Sequence, residues 1–305
     1  MNKPSTPRYD AVPIGRVAAP PFARLPDPLT IFAVRAGRLR ALAEAHELAP
    51  YLRFLADLCE CQHRVQEELP EPDMPEAVVL RRAHDFGMPP IDRSRFAMDA
   101  TFEITLRRML DLAAAIDMPR DARVALSRIR TANALASCLM IRDVLADTIP
   151  VEAIAEHAYV AAALQVHFVR LAARLETKSL VPVGDGICPC CGGAPVSSVV
   201  VGWEGAFGSR FCVCSLCATY WHVVRIKCTI CGSTKGVAYQ EVDGSDGSVK
   251  AEICDNCHAY LKIMQQHHNP ALEPVADDVA TLALDLLVRD GDYRRGAVNP
   301  FLLGY

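Results

Sequence analysis

Four Cys-x-x-Cys pairs, Cys188/Cys191, Cys214/Cys217, Cys228/Cys231 and Cys254/Cys257, constrain this chain more than any other feature. A shift of 40 residues carries the first pair onto the third and the second onto the fourth, and also Gly192 onto Gly232 and Tyr220 onto Tyr260. That is an internal duplication, and it predicts two equivalent units. Two sulfurs two residues apart converge on one ion across a tight turn. The glycine after the second cysteine permits positive φ, and backbone N–H groups in the turn spread the thiolate charge. Two such turns supply the four sulfurs of a tetrahedral site. A unit of this size has little core of its own, so bound metal would supply much of its folding energy.

The duplication predicts pairing within each unit, Cys188 and Cys191 with Cys214 and Cys217, and Cys228 and Cys231 with Cys254 and Cys257. Ten residues separate Cys217 from Cys228, so pairing the second turn with the third is also sterically open. Each unit reads as a β-ribbon. Runs 195–201, 209–213 and 219–224 are β-prone in the first, and 236–242, 248–253 and 259–264 in the second.

The compartment decides how cysteines are read. The start of the chain is polar and lacks an apolar signal segment. The most apolar stretches, such as Ala158 to Leu164, are too short to span a bilayer. A cytoplasmic protein with reduced thiols is the expectation, and clustered cysteines there are metal ligands rather than disulfides. Of 13 cysteines, Cys190 and Cys212 read as packed small side chains beside the sites, with a redox or partner-facing thiol as the alternative. Cys59, Cys61 and Cys138 fall in helical segments and read as buried filler.

Before the cysteines the pattern is helical. Asp27-Pro28 offers an N-cap and a proline at the first helical position. A helix follows from Pro50 to about Leu69. Breaks come at 70–75 and 89–90, and longer helices cover about 99–117, 121–147 and 151–177. A last helix covers about 274–289. The fold class is therefore α+β, with residues 1–183 a helical bundle behind an irregular N-terminus. Ribbons follow at 184–226 and 227–268, and a C-terminal helix and tail at 269–305. The composition, 51% hydrophobic and 22% charged, provides for a sizeable core.

The other candidate ligands carry less. His222 and His258 lie near the turns, but four thiolates are already available to each unit. His267-His268 reads as solvated, and Glu60-x-x-His63 has no second copy to build a dinuclear carboxylate site. No nucleophile-elbow, zincin or phosphate-loop motif appears, which points away from an enzyme. From 184 to 270 six basic residues face seven acidic ones. No basic stripe is available for nucleic acid, the partner of many zinc ribbons.

The run Cys188-Pro-Cys-Cys-Gly192, the segment Cys214 to Gly232, Cys254-Asp-Asn-Cys-His-Ala-Tyr-Leu-Lys-Ile263, Pro274-Val-Ala-Asp-Asp278 and Asn299-Pro-Phe301 together resemble FdhE, the formate dehydrogenase accessory family of bacteria. The resemblance covers 188–301 in specific motifs, and the first 180 residues agree only in length and helical character. It implies a cytoplasmic maturation factor that binds the catalytic subunit of respiratory formate dehydrogenase before export, with rubredoxin-like, iron-bearing Cys pairs. The eight cysteines of the four pairs match position by position, and Cys190 is an extra thiol. A tetrathiolate suits zinc as well as iron, and the Irving–Williams order favours zinc over ferrous iron. The resemblance implies iron, with zinc as the alternative. A rubredoxin-type electron carrier and a nucleic-acid-binding zinc ribbon are the competing functions.

Overall fold

The computed structural model describes residues 19–302. Seven helices come first: α1 Ile31–Leu42, α2 Ala49–Val65, α3 Ala77–Asp85, α4 Ala100–Ala113, α5 Arg120–Arg130, α6 Ala134–Leu145 and α7 Ile154–Ala173. Helix α7 is the axis. It is buried almost throughout, from Glu156 to Ala172, by α2, α4, α5 and α6 on its flanks and by the cysteine-bearing half beyond.

The helical pattern of 121–147 is two helices, not one. Thr131 ends α5 and turns its hydroxyl onto the Ser127 carbonyl, and the Asn133 side chain accepts the Ala136 N–H at 2.9 Å to start α6. Capping side chains that compete for backbone groups account for the break. Helix α3, which lies between the two proline breaks, was hidden by its length: nine residues with only Ala83 buried give too few repeats of the apolar spacing to mark a helix. The last helix is likewise divided, into α8 Ala276–Ala280 and α9 Leu282–Asp290, because the Thr281 hydroxyl bonds the Asp277 carbonyl at 2.7 Å.

Six strands match the duplicated ribbons: β2 Pro195–Val200, β3 Arg210–Cys214 and β4 Tyr220–Val223, then β5 Val237–Gln240, β6 Val249–Cys254 and β7 Ala259–Met264. Each unit is an antiparallel three-stranded ribbon. The two are not independent. Strand β2 runs parallel to β7, Ser198 opposite Ile263 and Val199 opposite Met264, so the units join in one sheet of order β4-β3-β2-β7-β6-β5. A two-residue strand, β1 Ala23–Arg24, covers the β4 edge, and β8 Arg294–Arg295 extends β7. Buried side chains run without interruption from α1 and α7 into β2, β3, β7 and α9.

Candidate metal centres

The two units build their turns from the same hydrogen bonds. Cys188 N donates to the Gly193 carbonyl and Gly192 N to the Cys188 carbonyl; Cys228 N donates to Ser233 and Gly232 N to Cys228. Gly192 and Gly232 take φ of 77° and 74°. The other two turns reach the same left-handed region without glycine, at Ala218 (φ 55°) and His258 (φ 50°). Side chains there carry a steric penalty of roughly 1 kcal/mol. The two positions are 40 residues apart, so the strain belongs to the repeat. His258 is thus placed by backbone geometry, and its ring stacks on Tyr293.

The turns converge as two groups of four sulfurs, Cys188, Cys191, Cys214 and Cys217, and Cys228, Cys231, Cys254 and Cys257, each within 4.8 Å of one another. In the first group Cys188 lies 3.6 Å from Cys217 and Cys191 3.4 Å from Cys214. In the second, Cys228–Cys257 and Cys231–Cys254 are both 3.8 Å apart. A tetrahedral ion with metal–sulfur bonds of about 2.3 Å sets its sulfurs about 3.8 Å apart. The donor set therefore fits one tetrathiolate ion per group. Among the described residues, no His, Asp or Glu joins either group.

Polar groups around the sulfurs suit thiolates. Leu216 N and Cys217 N each donate to Cys214 Sγ at 3.4 Å, and the Thr219 hydroxyl sits 3.2 Å from Cys217 Sγ. Asn256 Nδ2 donates to Cys231 Sγ at 3.4 Å. The Ser233 backbone N–H, ahead of other causes, brings the Cys231 thiol down to about 6. Burial pushes the Cys188 and Cys191 thiols well up, whereas Cys217 lies well below its ordinary range because donated bonds from its neighbours overcome the burial. An ion entering the first group would displace the protons that burial holds on Cys188 and Cys191.

The two groups differ in their surroundings. The first is wholly buried. The loop after α3 closes over it: Ile91 N donates to the Cys190 carbonyl at 3.1 Å and Arg93 N to Cys191 at 3.0 Å. From α7, Gln165 Nε2 donates to the Ser215 carbonyl at 2.8 Å. In the second group Cys231 is exposed and Cys257 half-buried.

Of the other cysteines, Cys190 and Cys212 are fully buried, and burial raises Cys212 to about 11. Cys59 and Cys61 are buried, but Cys138 is exposed on α6 and is not core filler. Glu60 pairs with Arg40, and His63 joins no carboxylate cluster. His267 and His268 stack at 3.8 Å, beside Phe207. His222 packs on Phe211.

Residues that the sequence did not single out hold the frame. Arg210 on β3 makes a two-pronged buried pair with Glu252 on β6, at 2.7 and 2.8 Å. It thereby joins the ribbons behind both sulfur groups. The Pro274–Asp278 motif, noted in the sequence only for its resemblance, forms a clamp together with the preceding Glu273: Glu273 holds Arg35, Asp277 holds Arg38 and Asp278 holds Lys262 and Arg295. Arginines spread along a helix gave no sign of distant buried carboxylates.

Comparison with known proteins decides the family. The descriptions "FdhE, N-terminal", "FdhE, central domain" and "FdhE, C-terminal domain" match residues 20–185, 187–225 and 226–302. This chain belongs to the FdhE family. It is 46% identical over 294 residues to a "Protein FdhE homolog" of Rhizobium meliloti, covering 96% of each chain. It is 33% identical to "Protein FdhE" of Salmonella paratyphi A, over 88% of this chain and 86% of the other. The crystal structure of the FdhE protein from Pseudomonas aeruginosa superposes with a TM-score of 0.83 at 30% identity, over 93% of this chain and 99% of that one. The α+β arrangement of helical region, four-cysteine ribbons and C-terminal helix is thus an FdhE arrangement. No helix among the described residues is long and apolar enough to cross a membrane.

Proposed function

We propose that this protein is a cytoplasmic accessory factor that binds the catalytic subunit of formate dehydrogenase before export and does not itself oxidise formate. Its two four-sulfur groups each hold one metal ion, iron in this reading. The observation that carries the reading is the convergence of eight cysteines into two four-sulfur groups in a chain of the FdhE family. A four-thiolate ion has no coordination position left for substrate, which suits an accessory role better than catalysis. When bound, the ion ties two turns together, and iron also supplies a one-electron couple. The chain's own residues hold the sulfurs: Cys188, Cys191, Cys214 and Cys217 in one group, Cys228, Cys231, Cys254 and Cys257 in the other. Backbone N–H groups of Leu216 and Cys217 stabilise the Cys214 thiolate.

The test has two arms. Purified protein should contain about two ions per chain and absorb visible light through thiolate-to-iron charge transfer; a colourless protein with two zinc ions would replace iron by zinc. A tagged copy should capture the formate dehydrogenase catalytic subunit from its source cell. Deletion should abolish formate dehydrogenase activity while the catalytic polypeptide is still made. Normal activity in the deletion strain, without a second copy of the gene, would overturn the reading.

A further inference from the structure

The duplication makes the two sulfur groups chemically alike, yet the fold treats them differently. Around the first, all four cysteines are at most 1% exposed. Its turns are fixed from outside by the Ile91, Arg93 and Gln165 hydrogen bonds, and Pro89 lies against Gly192 so closely that a Cβ there would meet it at 3.1 Å. Opening this group means detaching the loop after α3 and part of α7 from the sheet. That is a sub-global unfolding event.

In the second group the first half of the Cys228–Cys231 turn is held, by Arg210 bonds to the Lys227 carbonyl and Thr229 Oγ1 and by Gly186 and Gly296 packed against Thr229 and Ile230, but its outer end is not covered. Each of its turns gives one inner and one outer sulfur. Cys228 and Cys254 are 4% and 1% exposed, whereas Cys231 is open to solvent and Cys257 half-open. Among the described residues, and the cysteines themselves apart, the one side chain that donates to an outer sulfur is that of Asn256, itself exposed. Lys227, in the same turn, pairs with Asp185 at the surface. Among the described residues, nothing in the helical half covers Cys231, which is exposed. Cys231 meets solvent directly, so a competing ligand reaches this sulfur while the buried inner pair keeps hold.

We propose that the second group is a metal-exchange site and the first a sealed structural cross-link, a division that rests on the metal reading above. In the exchange an incoming thiolate, from a partner protein or a small soft chelator, bonds to the ion. The bond from the ion to Cys231 Sγ breaks and its electron pair stays on that sulfur. Cys231 leaves as a thiolate. One thiolate replaces another, so no oxidant or reductant is needed. Further displacement at Cys257 completes the transfer.

The test uses the full chain loaded with zinc at both groups and the chromogenic chelator 4-(2-pyridylazo)resorcinol. Release should occur in two phases of one ion each, the first faster by roughly tenfold or more because it needs only local opening. Asn256→Ala should speed the fast phase and leave the slow one unchanged. Cys231→Ser should speed or remove the fast phase alone, and Cys191→Ser should remove the slow phase alone. Far-UV circular dichroism confirms that each variant is folded, and Asn256→Ala keeps the test decisive if a cysteine variant is not. Two ions released at one common rate would overturn the proposal while leaving the metal reading intact, as would a fast phase lost in Cys191→Ser rather than in Cys231→Ser. A chain that takes up no metal would overturn both.

Discussion

At the scale of single residues, Arg210 and Glu252 show how a buried charge can set position without adding much stability. Both are almost fully buried, at 1% and 3% exposure. Burial, ahead of the opposing pull of Arg210, leaves the Glu252 carboxyl above its usual range. The carboxylate is therefore less comfortable here than in water, and the pair as a whole contributes little net stability. Breaking it is another matter. Arg210 also donates to Ser198 Oγ at 3.1 Å and to Thr229 Oγ1 at 3.2 Å, so it would stay in place as an unpaired buried cation. Glu252→Ala should lower unfolding free energy by about 3–5 kcal/mol, measured by urea denaturation of the metal-loaded chain. A loss below about 1 kcal/mol, the size of a surface pair, would mean that water reaches Arg210.

At the scale of elements, the clamp between α8, β7 and β8 carries a pH signature. Burial pushes the Asp278 carboxyl up, but Arg295 first and Lys262 next pull it further down, so it ends below its ordinary value. The folded pKa is thus lower than the unfolded one, about 3.9. The clamp's stabilisation is fully present above that value and is lost as pH falls through the folded pKa. Thermal melts between pH 6 and pH 3 should show stability falling at the acid end, and Asp278→Asn should flatten that fall while lowering stability at pH 6. Equal acid slopes in the two proteins would place the acid sensitivity elsewhere. The same clamp explains the motif at 274–278. Glu273 and Asp277 each accept an arginine of α1, so a segment after the ribbons fixes the first helix.

At the scale of the whole molecule, sheet and helices share one core. Helix α7 is covered on all sides, and Gln165 reaches the Ser215 carbonyl across the junction. Arg35, 3% exposed, has its carboxylate partner only in the C-terminal segment. A fragment ending at residue 183 would therefore expose an apolar wall and strand a buried cation. Expressed alone, it should keep helical far-UV signal but bind 8-anilinonaphthalene-1-sulfonate and melt without a sharp transition. A cooperative melt near that of the full chain would show the helical part to be self-sufficient.

The sequence alone determined what is repetitive and local. Two-residue spacing between cysteines, glycine at 192 and 232, and the shift of 40 residues placed the turns and six strands within a few residues, because these depend on neighbours along the chain. Helices with a broad apolar face were legible for the same reason, whereas α3 and the break at 131–133 were not, since a nine-residue helix and a short capping break are shorter than the window over which a period shows. Tertiary structure alone decided the rest. The parallel pairing of β2 with β7 joins strands far apart in sequence. Glu273 and Asp277 find arginines more than two hundred residues away. The inequality of the two sulfur groups was least visible of all: their local patterns are the same, and only the helices packed over the first make it closed and the second open. A repeat fixes which atoms can meet, but burial depends on what the remainder of the chain lays over them.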